Sequence, residues 1–257
     1  MPEARLSMEH MLAKVLSCKR MDLYLQFDRP LEEGELAPLR EMLKKRGQRV
    51  PLQHLLGTVE FCGQEFLCDG RGLIARPETE ELVELVLKRI ESMDGTVRIL
   101  DVGAGSGVIG LSLAKALGEK AELVLLTDVS DDALALTGEN RERLDLSDDQ
   151  VKTGSSDMLS GEVVAEHGPF DVIVSNPPYI PSAEIAELEA EVHADPVLAL
   201  DGGDDGLDLV RTLLSAASDH LTQRGFVAFE LGIGQTVEVE KIAGDHGLPE
   251  TSSHADL

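Results

Sequence analysis

From residue 97 onward, short apolar segments alternate with amphipathic ones, and this alternation constrains the fold more than any other feature of the sequence. Apolar strands are predicted over residues 97–103, 121–128, 170–176 and 225–232, with a weaker strand over 150–157. Helices are predicted between and after them, over residues 108–118, 131–144, 206–221 and 235–247. Short apolar strands that alternate with helices build a mostly parallel sheet with right-handed crossovers. The sequence therefore predicts an α/β fold for this part of the chain.

The first 76 residues have a different character. Two amphipathic helices are predicted within residues 1–55, separated by loop residues at 27–35. In residues 56–76, Phe61, Phe66 and Leu67 alternate with polar residues between glycines, which predicts a β-hairpin. We therefore divide the chain into a helical domain (1–55), a hairpin linker (56–76) and an α/β domain (77–257). The helical domain is either a cap on the α/β domain or a module that docks a partner, and its sequence favours neither.

The composition argues against several classes of protein. The net charge is −25, from 48 acidic and 23 basic residues, which disfavours binding to nucleic-acid phosphates. The three cysteines form no C-x-x-C pair, so free thiols in a reducing compartment are expected. With no apolar leader and no membrane-spanning run, the expected location is the cytoplasm. The seven histidines are scattered, and we expect no metal site.

A glycine-rich turn follows the strand predicted at 97–103. It consists of Gly103, Ala104, Gly105, Ser106 and Gly107. Glycines at the end of a strand allow a tight turn and the close approach of a ligand to the backbone. Asp128 ends the next strand, where a carboxylate can accept hydrogen bonds from both ribose hydroxyls. Together they predict a nucleoside site at the carboxyl edge of the sheet.

The same turn also satisfies the dinucleotide pattern G-x-G-x-x-G over residues 105–110, which is weak evidence alone. Asp101 favours S-adenosyl-L-methionine over NAD, because an acid repels a pyrophosphate and can face a cationic amino-acid group. Asp157 and Met158 lie at the end of the weaker strand, where they suit the edge and the face of an adenine. We therefore expect S-adenosyl-L-methionine as the cofactor, with S-adenosyl-L-homocysteine as its product.

The strand at 170–176 ends in Asn176, Pro177, Pro178 and Tyr179. Two adjacent prolines remove two N–H donors and hold the preceding residues extended, which makes a stiff corner rich in acceptors. The Asn176 side-chain oxygen and the Pro177 carbonyl can accept the two N–H bonds of a planar amino group. We expect the Asn176 –NH₂ to reach the cofactor side and the Tyr179 ring to stack on the bound group. The corner is thus predicted to clamp a planar –NH₂ for methyl transfer.

Nearly the whole chain resembles the release-factor glutamine methyltransferases, also called protein-(glutamine-N5) methyltransferases of the HemK/PrmC type. The resemblance rests on residues 51–66 and 73–84, the glycine turn, residues 127–140, the Asn176–Tyr179 corner, and residues 194–214 and 225–235. Asn-Pro-Pro-Tyr alone is shared with adenine-N6 methyltransferases. The sequence Arg76-Pro77-Glu78-Thr79-Glu80 and the segment 194–214 are far more restrictive.

The resemblance implies a Rossmann-like class I S-adenosylmethionine-dependent methyltransferase domain with a small helical N-terminal domain and a β-hairpin linker. It implies an enzyme that methylates the glutamine of a Gly-Gly-Gln loop in a peptide-chain release factor, docked by residues 1–55. We expect the protein to be a monomer. It assigns cofactor binding to residues 103–107, Asp128, Met158 and Asn176. It assigns the catalytic and substrate-binding roles to Asn176, Pro177, Pro178 and Tyr179.

Two alternatives stay open at this point, an adenine-N6 methyltransferase acting on RNA or DNA and an inactive cofactor-binding protein. The sequence also departs from the family pattern in two places. Met158 stands where many relatives carry an aromatic residue, which predicts a weaker adenine contact. Relatives continue past residues 250–257 into a strand that completes the sheet, so the edge at the fifth strand is expected to lack this partner.

Overall fold

The computed structural model describes residues 4–255, so residues 1–3 of the predicted helical domain and the last two residues lie outside it. The α-helices are α1 (Ala4–Val15), α2 (Glu33–Gly47), α3 (Leu52–Leu56), α4 (Glu78–Glu91), α5 (Val108–Leu117), α6 (Asp131–Arg143), α7 (Glu162–His167), α8 (Asp208–His220) and α9 (Thr236–Asp245). The strands are β1 (Thr58–Phe61), β2 (Gln64–Leu67), β3 (Val97–Val102), β4 (Ala121–Asp128), β5 (Val151–Ser155), β6 (Phe170–Ser175) and β7 (Leu221–Phe229). Short 3₁₀ helices occupy Arg20–Leu25, Gly118–Lys120, Ser182–Glu187, Val192–Ala194 and Val197–Ala199.

The centre of the molecule is a parallel sheet with the strand order β5-β4-β3-β6-β7. The predicted α/β fold is confirmed. The chain moves outward from β3 to β4 and β5, then returns to place β6 on the other side of β3. The strand order therefore reverses between β3 and β6, and ligands of open α/β sheets bind at such a switch point, beyond the carboxyl ends of the strands. Within the described part of the chain, β7 pairs with β6 alone.

Helices cover both faces of the sheet, because its central strands are apolar on both sides. On one face, Ile99, Val124 and Val172 pack with Val83 of α4 and Leu113 of α5. The other face has a second cluster, which contains Leu100, Leu125, Ile173, Leu213 and Ala217. Full burial of each large aliphatic side chain contributes roughly 1.5–3 kcal/mol. This packing fixes where the carboxyl end of each strand lies relative to its neighbours. The site is built from residues at these strand ends.

The predicted hairpin is formed by β1 and β2, which pair antiparallel. Phe61 and Phe66 meet edge to face beneath it, with ring centroids 6.2 Å apart. The buried Asn140 of α6 joins the hairpin to the glycine turn. Its Oδ1 accepts from the Leu67 N–H at 2.6 Å, and its Nδ2 donates to the Ser106 carbonyl at 2.9 Å. Asn140 therefore connects the hairpin to the glycine turn through hydrogen bonds.

Helical structure in residues 4–56 is confirmed, but the predicted start of α2 was wrong. Residues 33–35 were predicted as loop, whereas α2 begins at Glu33. The Glu35 carboxylate accepts from the Glu32 N–H at 3.0 Å and satisfies a backbone donor at the helix start. The 3₁₀ turns after the Asn176 corner were not predicted either, because such short turns carry no apolar period.

Two further properties concern the described residues as a group. None of their helices is both long and apolar enough to cross a membrane. Across residues 4–255, no three His, Cys, Asp or Glu side chains are grouped in a way that suits a metal ion.

Candidate active site

Strand register brings the candidate residues to one level at the carboxyl edge of the sheet. Val102 pairs with Thr127 on one side and with Ser175 on the other, and Ser175 pairs with Phe229. The next residues on these four strands are Asp128 (β4), Gly103 (after β3), Asn176 (after β6) and Glu230 (after β7). We call these four residues the terminal row. Because neighbouring strands lie about 5 Å apart, the glycine turn and the Asn176 corner begin side by side.

The glycine turn has two functionally different parts. Gly103, Gly105 and Gly107 all have positive φ, at 69°, 58° and 81°. A side chain at either of the first two would meet open space, whereas one at Gly107 would press on Leu111 and Thr137 at 2.9 Å. Gly103 and Gly105 therefore leave open space in which a ligand can lie against the turn. Gly107 and the buried Ala104 and Ser106 instead hold the turn against the fold.

Asp128 anchors the open part of the turn. Its Oδ2 accepts from the Gly105 N–H and its Oδ1 from the Ser130 N–H, both at 2.9 Å. Each oxygen keeps a further lone pair, so the carboxylate is held in place and still able to accept ligand hydroxyls. The turn that carries Met158 follows β5 beside it, since the Ser156 N–H donates to the Asp128 carbonyl. Met158 is half-buried and has a φ of 48°.

Asp101 does not present its carboxyl to an open site, contrary to the expectation that it faces a cationic ligand group. Its side chain is 0% exposed, and its Oδ2 accepts from the Gly110 N–H of α5 at 2.8 Å. Its Oδ1 is buried without a hydrogen-bond partner. Burial raises the pKa of Asp101 to about 7. Asp101 therefore joins β3 to the start of α5 beneath the glycine turn.

The Asn176 corner is tied to two other elements by a shared carboxylate. The Asn176 Nδ2 donates to Glu230 Oε2 at 3.0 Å and to Thr79 Oγ1 of α4 at 3.3 Å. The Thr79 hydroxyl donates to the same Glu230 oxygen at 2.7 Å, and the Tyr179 hydroxyl donates to Glu230 Oε1 at 3.1 Å. The expectation that the Asn176 –NH₂ reaches the cofactor side is therefore wrong, because that group is turned toward Glu230 and Thr79.

Tyr179 is held as a neutral phenol. Burial, with the neighbouring Glu230 carboxylate, raises the pKa of Tyr179 to about 12. The hydroxyl therefore remains a donor to Glu230 across the neutral range. This bond fixes the ring at the corner, where one face can pack on a planar group.

The loop at 201–206 supports the corner from outside. Gly202 donates its N–H to the Ile180 carbonyl at 2.8 Å, and Gly203 accepts from the Ser182 N–H at 2.9 Å. Gln235 donates through Nε2 to the carbonyls of Tyr179, at 3.1 Å, and Gly206, at 3.3 Å. The corner is therefore held on both sides by backbone and amide contacts.

The two most restrictive sequence segments, 73–84 and 194–214, meet beside the site. The Arg76 guanidinium donates to Asp195 Oδ2 at 2.8 Å, and the Ile74 N–H donates to Asp195 Oδ1 at 3.1 Å. The Asp195 side chain is fully buried, and burial raises its pKa despite the arginine. This ion pair joins the start of α4 to the loop that follows the corner.

Two residues of the site were missed in the sequence. Glu230 was predicted only as part of a strand, and Thr79 only as part of a motif. The signal for Glu230 was available: it is a polar residue at the carboxyl end of an apolar strand, as Asp128 and Asn176 are. Thr79 carried no such signal, because its role depends on how α4 packs against β6 and β7.

The open surfaces of the site fit S-adenosyl-L-methionine. Gly103 and Gly105 form a cradle whose volume a side chain would fill, and it lies beside the anchored Asp128. An acceptor-only carboxylate next to exposed backbone suits a ribose, whereas a pyrophosphate would be repelled by it. The residues that would hold the cofactor are the turn, Asp128 and Met158, with Asn176 at the methyl end.

Comparisons with known proteins agree with this arrangement. Residues 1–57 match the family model described as PrmC N-terminal domain, and residues 68–195 match that of the Methyltransferase small domain. A release factor glutamine methyltransferase of Geobacter sulfurreducens is 41% identical over 239 residues, which cover 92% of this chain and 80% of that protein. A protein of the same name from Chlorobaculum tepidum is 39% identical over 262 residues, with 99% and 85% coverage.

Solved structures with a similar fold have low sequence identity to this chain. The hMettl16 catalytic domain has a TM-score of 0.57 at 15% identity, with 87% of each chain covered. A SAM-dependent methyltransferase from Agrobacterium tumefaciens has a TM-score of 0.50 at 18% identity, with 72% of this chain and 56% of that chain covered. These likenesses support the fold alone.

The fold and the site together define a class I S-adenosylmethionine-dependent methyltransferase with a Rossmann-like sheet. Within this class, the match of its N-terminal domain and the identity to its relatives point to one family. The chain belongs to the release factor glutamine methyltransferase family.

Proposed function

We propose that the protein transfers a methyl group from S-adenosyl-L-methionine to the side-chain amide nitrogen of the glutamine in the Gly-Gly-Gln motif of a peptide-chain release factor. The relatives' names supply the substrate class. The remaining support comes from the chemistry of the terminal row and of the Asn176 corner.

One observation carries the proposal: the pairing of Val102 with Ser175 sets the cofactor turn and the Asn176 corner on adjacent strands at one level. The Ser175 hydroxyl strengthens this register by donating to the Val102 carbonyl at 2.7 Å. A group held at the corner is then beside the methyl end of a cofactor that lies over Gly103–Gly107. Such proximity is what a two-substrate transfer needs most.

The corner suits an amide nitrogen because it offers acceptors. A glutamine –NH₂ has two N–H donors and a lone pair delocalised into its carbonyl, so it is a poor nucleophile. Asn176 Oδ1 and the Pro177 carbonyl accept the two N–H bonds, while the Tyr179 ring packs on the amide plane. These contacts orient the nitrogen and raise its electron density, and the preorganised dipoles supply most of the acceleration.

The bound cofactor supplies a methyl group on a sulfonium, so transfer forms an N–C bond, breaks an S–C bond and releases S-adenosyl-L-homocysteine and a proton. Pro177 and Pro178 keep the corner stiff, because both have fixed φ and neither has an N–H. The protein does not require a base before the transfer, since the cationic product nitrogen loses its proton readily to water.

The proposal is tested by methyl transfer from radiolabelled S-adenosyl-L-methionine to purified release factor, to the same factor with the motif glutamine changed to alanine, and to total RNA. Label is expected in the intact factor and in neither of the others. Label in the RNA, or equal label in the glutamine-free factor, would overturn the proposed substrate.

We infer that the helical domain docks the release factor outside the Gly-Gly-Gln loop. The support is a set of large apolar side chains exposed on one stretch of the domain. Met21, Tyr24 and Leu25 are exposed on the first 3₁₀ helix, and Phe27 follows it; Leu25 and Phe27 are 82% and 86% exposed. An exposed cluster rich in aromatic and Met side chains is typical of a protein interface.

Replacing Leu25 and Phe27 together by serine is expected to lower kcat/KM for the whole factor about tenfold or more, because anchors of this kind dominate interface energetics. Cofactor affinity is expected to stay unchanged. Val237→Ser, on the exposed side of α9, is the matched control. Parental kcat/KM in the double variant would refute docking through these side chains.

Deletion of residues 1–55 is a less specific test. Arg46 pairs with Glu191 at 2.9 Å, and Arg49 pairs with Glu189 at 3.1 Å. Both glutamates belong to the loop after the corner, so the deletion removes supports of the site together with the docking surface.

A further inference from the structure

Glu230 is the common acceptor of three side chains that meet at the site. It receives hydrogen bonds from Asn176, Thr79 and Tyr179, at distances between 2.7 and 3.1 Å. Its position is set by the sheet, because Phe229 pairs with Ser175 and the Glu230 N–H donates to the Ser175 carbonyl at 3.2 Å. The carboxylate therefore lies beside Asn176 on the adjacent strand.

A carboxylate determines which way the Asn176 amide is turned. The two ends of an asparagine side chain are nearly equal in size, so packing alone discriminates poorly between them. An ionised carboxylate only accepts hydrogen bonds, so the amide must present its –NH₂ to Glu230 and its oxygen to the opposite side. The Thr79 hydroxyl favours the same orientation, because it gives its own proton to Glu230 and accepts from Asn176.

This orientation decides whether Asn176 can accept a hydrogen bond from the substrate. With Oδ1 turned away from Glu230, the corner offers an acceptor to an incoming –NH₂. With the amide reversed, two –NH₂ groups would face each other, and neither could accept. Donation to a charged group also polarises the amide, and this polarisation strengthens Oδ1 as an acceptor.

We propose that Glu230 is a positioning residue that locks the Asn176 amide with its oxygen toward the substrate, and that Thr79 and Tyr179 complete this lock. This inference rests on the proposed function, since it assumes that the substrate presents a planar –NH₂ to the corner. Glu230 acts through Asn176 and does not touch the reacting atoms.

The test compares single-turnover methyl transfer to a release factor in Glu230→Leu and Glu230→Gln. Leucine removes both acceptors at similar volume. We expect the transfer rate to fall about 100-fold, which is the upper end of the usual loss when a residue that orients a contacting side chain is removed. Glutamine keeps one acceptor, so a smaller fall of about 3- to 30-fold is expected. Cofactor affinity, measured by calorimetry, should stay within about threefold, because other residues hold that ligand. Glu238→Gln, on the exposed side of α9, is the matched control.

A double-mutant cycle separates positioning from general support of the fold. If Glu230 acts through Asn176, either Glu230 change should cost at least about threefold less when Asn176 is already alanine than in the parent, and the remaining loss reports its bond to Tyr179. If Glu230 only supports the fold, the full loss should persist in that background, and this result would overturn the proposal. Parental transfer by a folded Glu230 variant would also overturn it. If Glu230→Leu does not fold, the cycle with Glu230→Gln decides.

Measurements on the parent chain separate a failure of the proposed function from a failure of the positioning role of Glu230. An active parent with parent-like Glu230 variants removes the positioning role and leaves the proposed function standing. A parent that binds the cofactor but does not methylate any release factor overturns the proposed function, and the positioning role falls with it.

Discussion

Gly206→Ala is expected to disable the site without touching a ligand. Gly206 has a φ of 78° and lies against the backbone of the Asn176 corner. A Cβ at this position would overlap the carbonyl oxygen of Tyr179 and lie 2.7 Å from Gln235 Nε2. Because the obstacle is backbone, it cannot rotate away. Either the loop at 201–206 or the corner must move.

The expected loss in the free energy of unfolding of Gly206→Ala has two separate contributions. A left-handed conformation costs a non-glycine residue about 1–2 kcal/mol, and overpacking in a well-packed region costs about 1–3 kcal/mol more. The sum predicts a loss of about 2–5 kcal/mol in the free energy of unfolding. Gly234→Ala is the matched control, because Gly234 has a φ of 86° and nothing within 4 Å of its Cβ position. The control should therefore lose only the first part.

The assay is equilibrium unfolding in urea, combined with single-turnover methyl transfer at saturating cofactor. We expect Gly206→Ala to transfer at least tenfold more slowly than Gly234→Ala, since small displacements of positioned groups cost large factors in rate. Equal stability and equal transfer rates in the two variants would refute the reasoning, because they would show that the loop does not hold the corner.

Three further predictions concern residues of the site. Asp128→Ala should weaken cofactor binding by about 1.5–3 kcal/mol, the scale for lost hydrogen bonds to a charged group; unchanged affinity by calorimetry would remove Asp128 from the ribose role. Asn176→Ala should lower kcat about 10²–10³-fold with little change in cofactor affinity, and a near-parental single-turnover rate would contradict the clamp. The folded-state pKa of Asp101, about 7, lies above its unfolded value, so the stabilisation is present at low pH and lost as pH rises to 7. Between pH 5 and 8 the parent should therefore lose about 2–3 kcal/mol of unfolding free energy relative to Asp101→Asn, and urea titrations that show parallel pH profiles would contradict this.

The strands of the sheet could be predicted because each is a short apolar run that ends in a recognisable turn or polar residue. Gly103, Asp128 and Asn176 were found in this way, and the register places all three in the terminal row. The missed member, Glu230, lies 54 positions after Asn176 in the sequence. Its partnership depends on β6–β7 pairing, and a sequence gives the existence of strands more readily than their alignment.

Asp101 shows a different limit of prediction from sequence, which concerns the direction of a side chain. An acid at the end of a strand before a glycine turn can point toward the ligand or into the fold, and the sequence is the same in both cases. Here the missing side chain of Gly110 leaves the space that the carboxyl occupies, with Oδ2 only 2.9 Å from where a Cβ would be. The orientation of Asn176 was misjudged for a related reason, because both ends of an amide find partners and only the structure shows which partner is an acceptor.

The terminal row also has a consequence for the order of events during synthesis. Its members are separated along the chain by as many as 127 positions, from Gly103 to Glu230, and they meet only through strand pairing. A growing chain that has produced the cofactor turn and the Asn176 corner still lacks the carboxylate beside that corner. Only after β7 emerges and joins the sheet is the full row assembled. If Glu230 has the role inferred above, methyl transfer should begin late, as a property of the completed sheet.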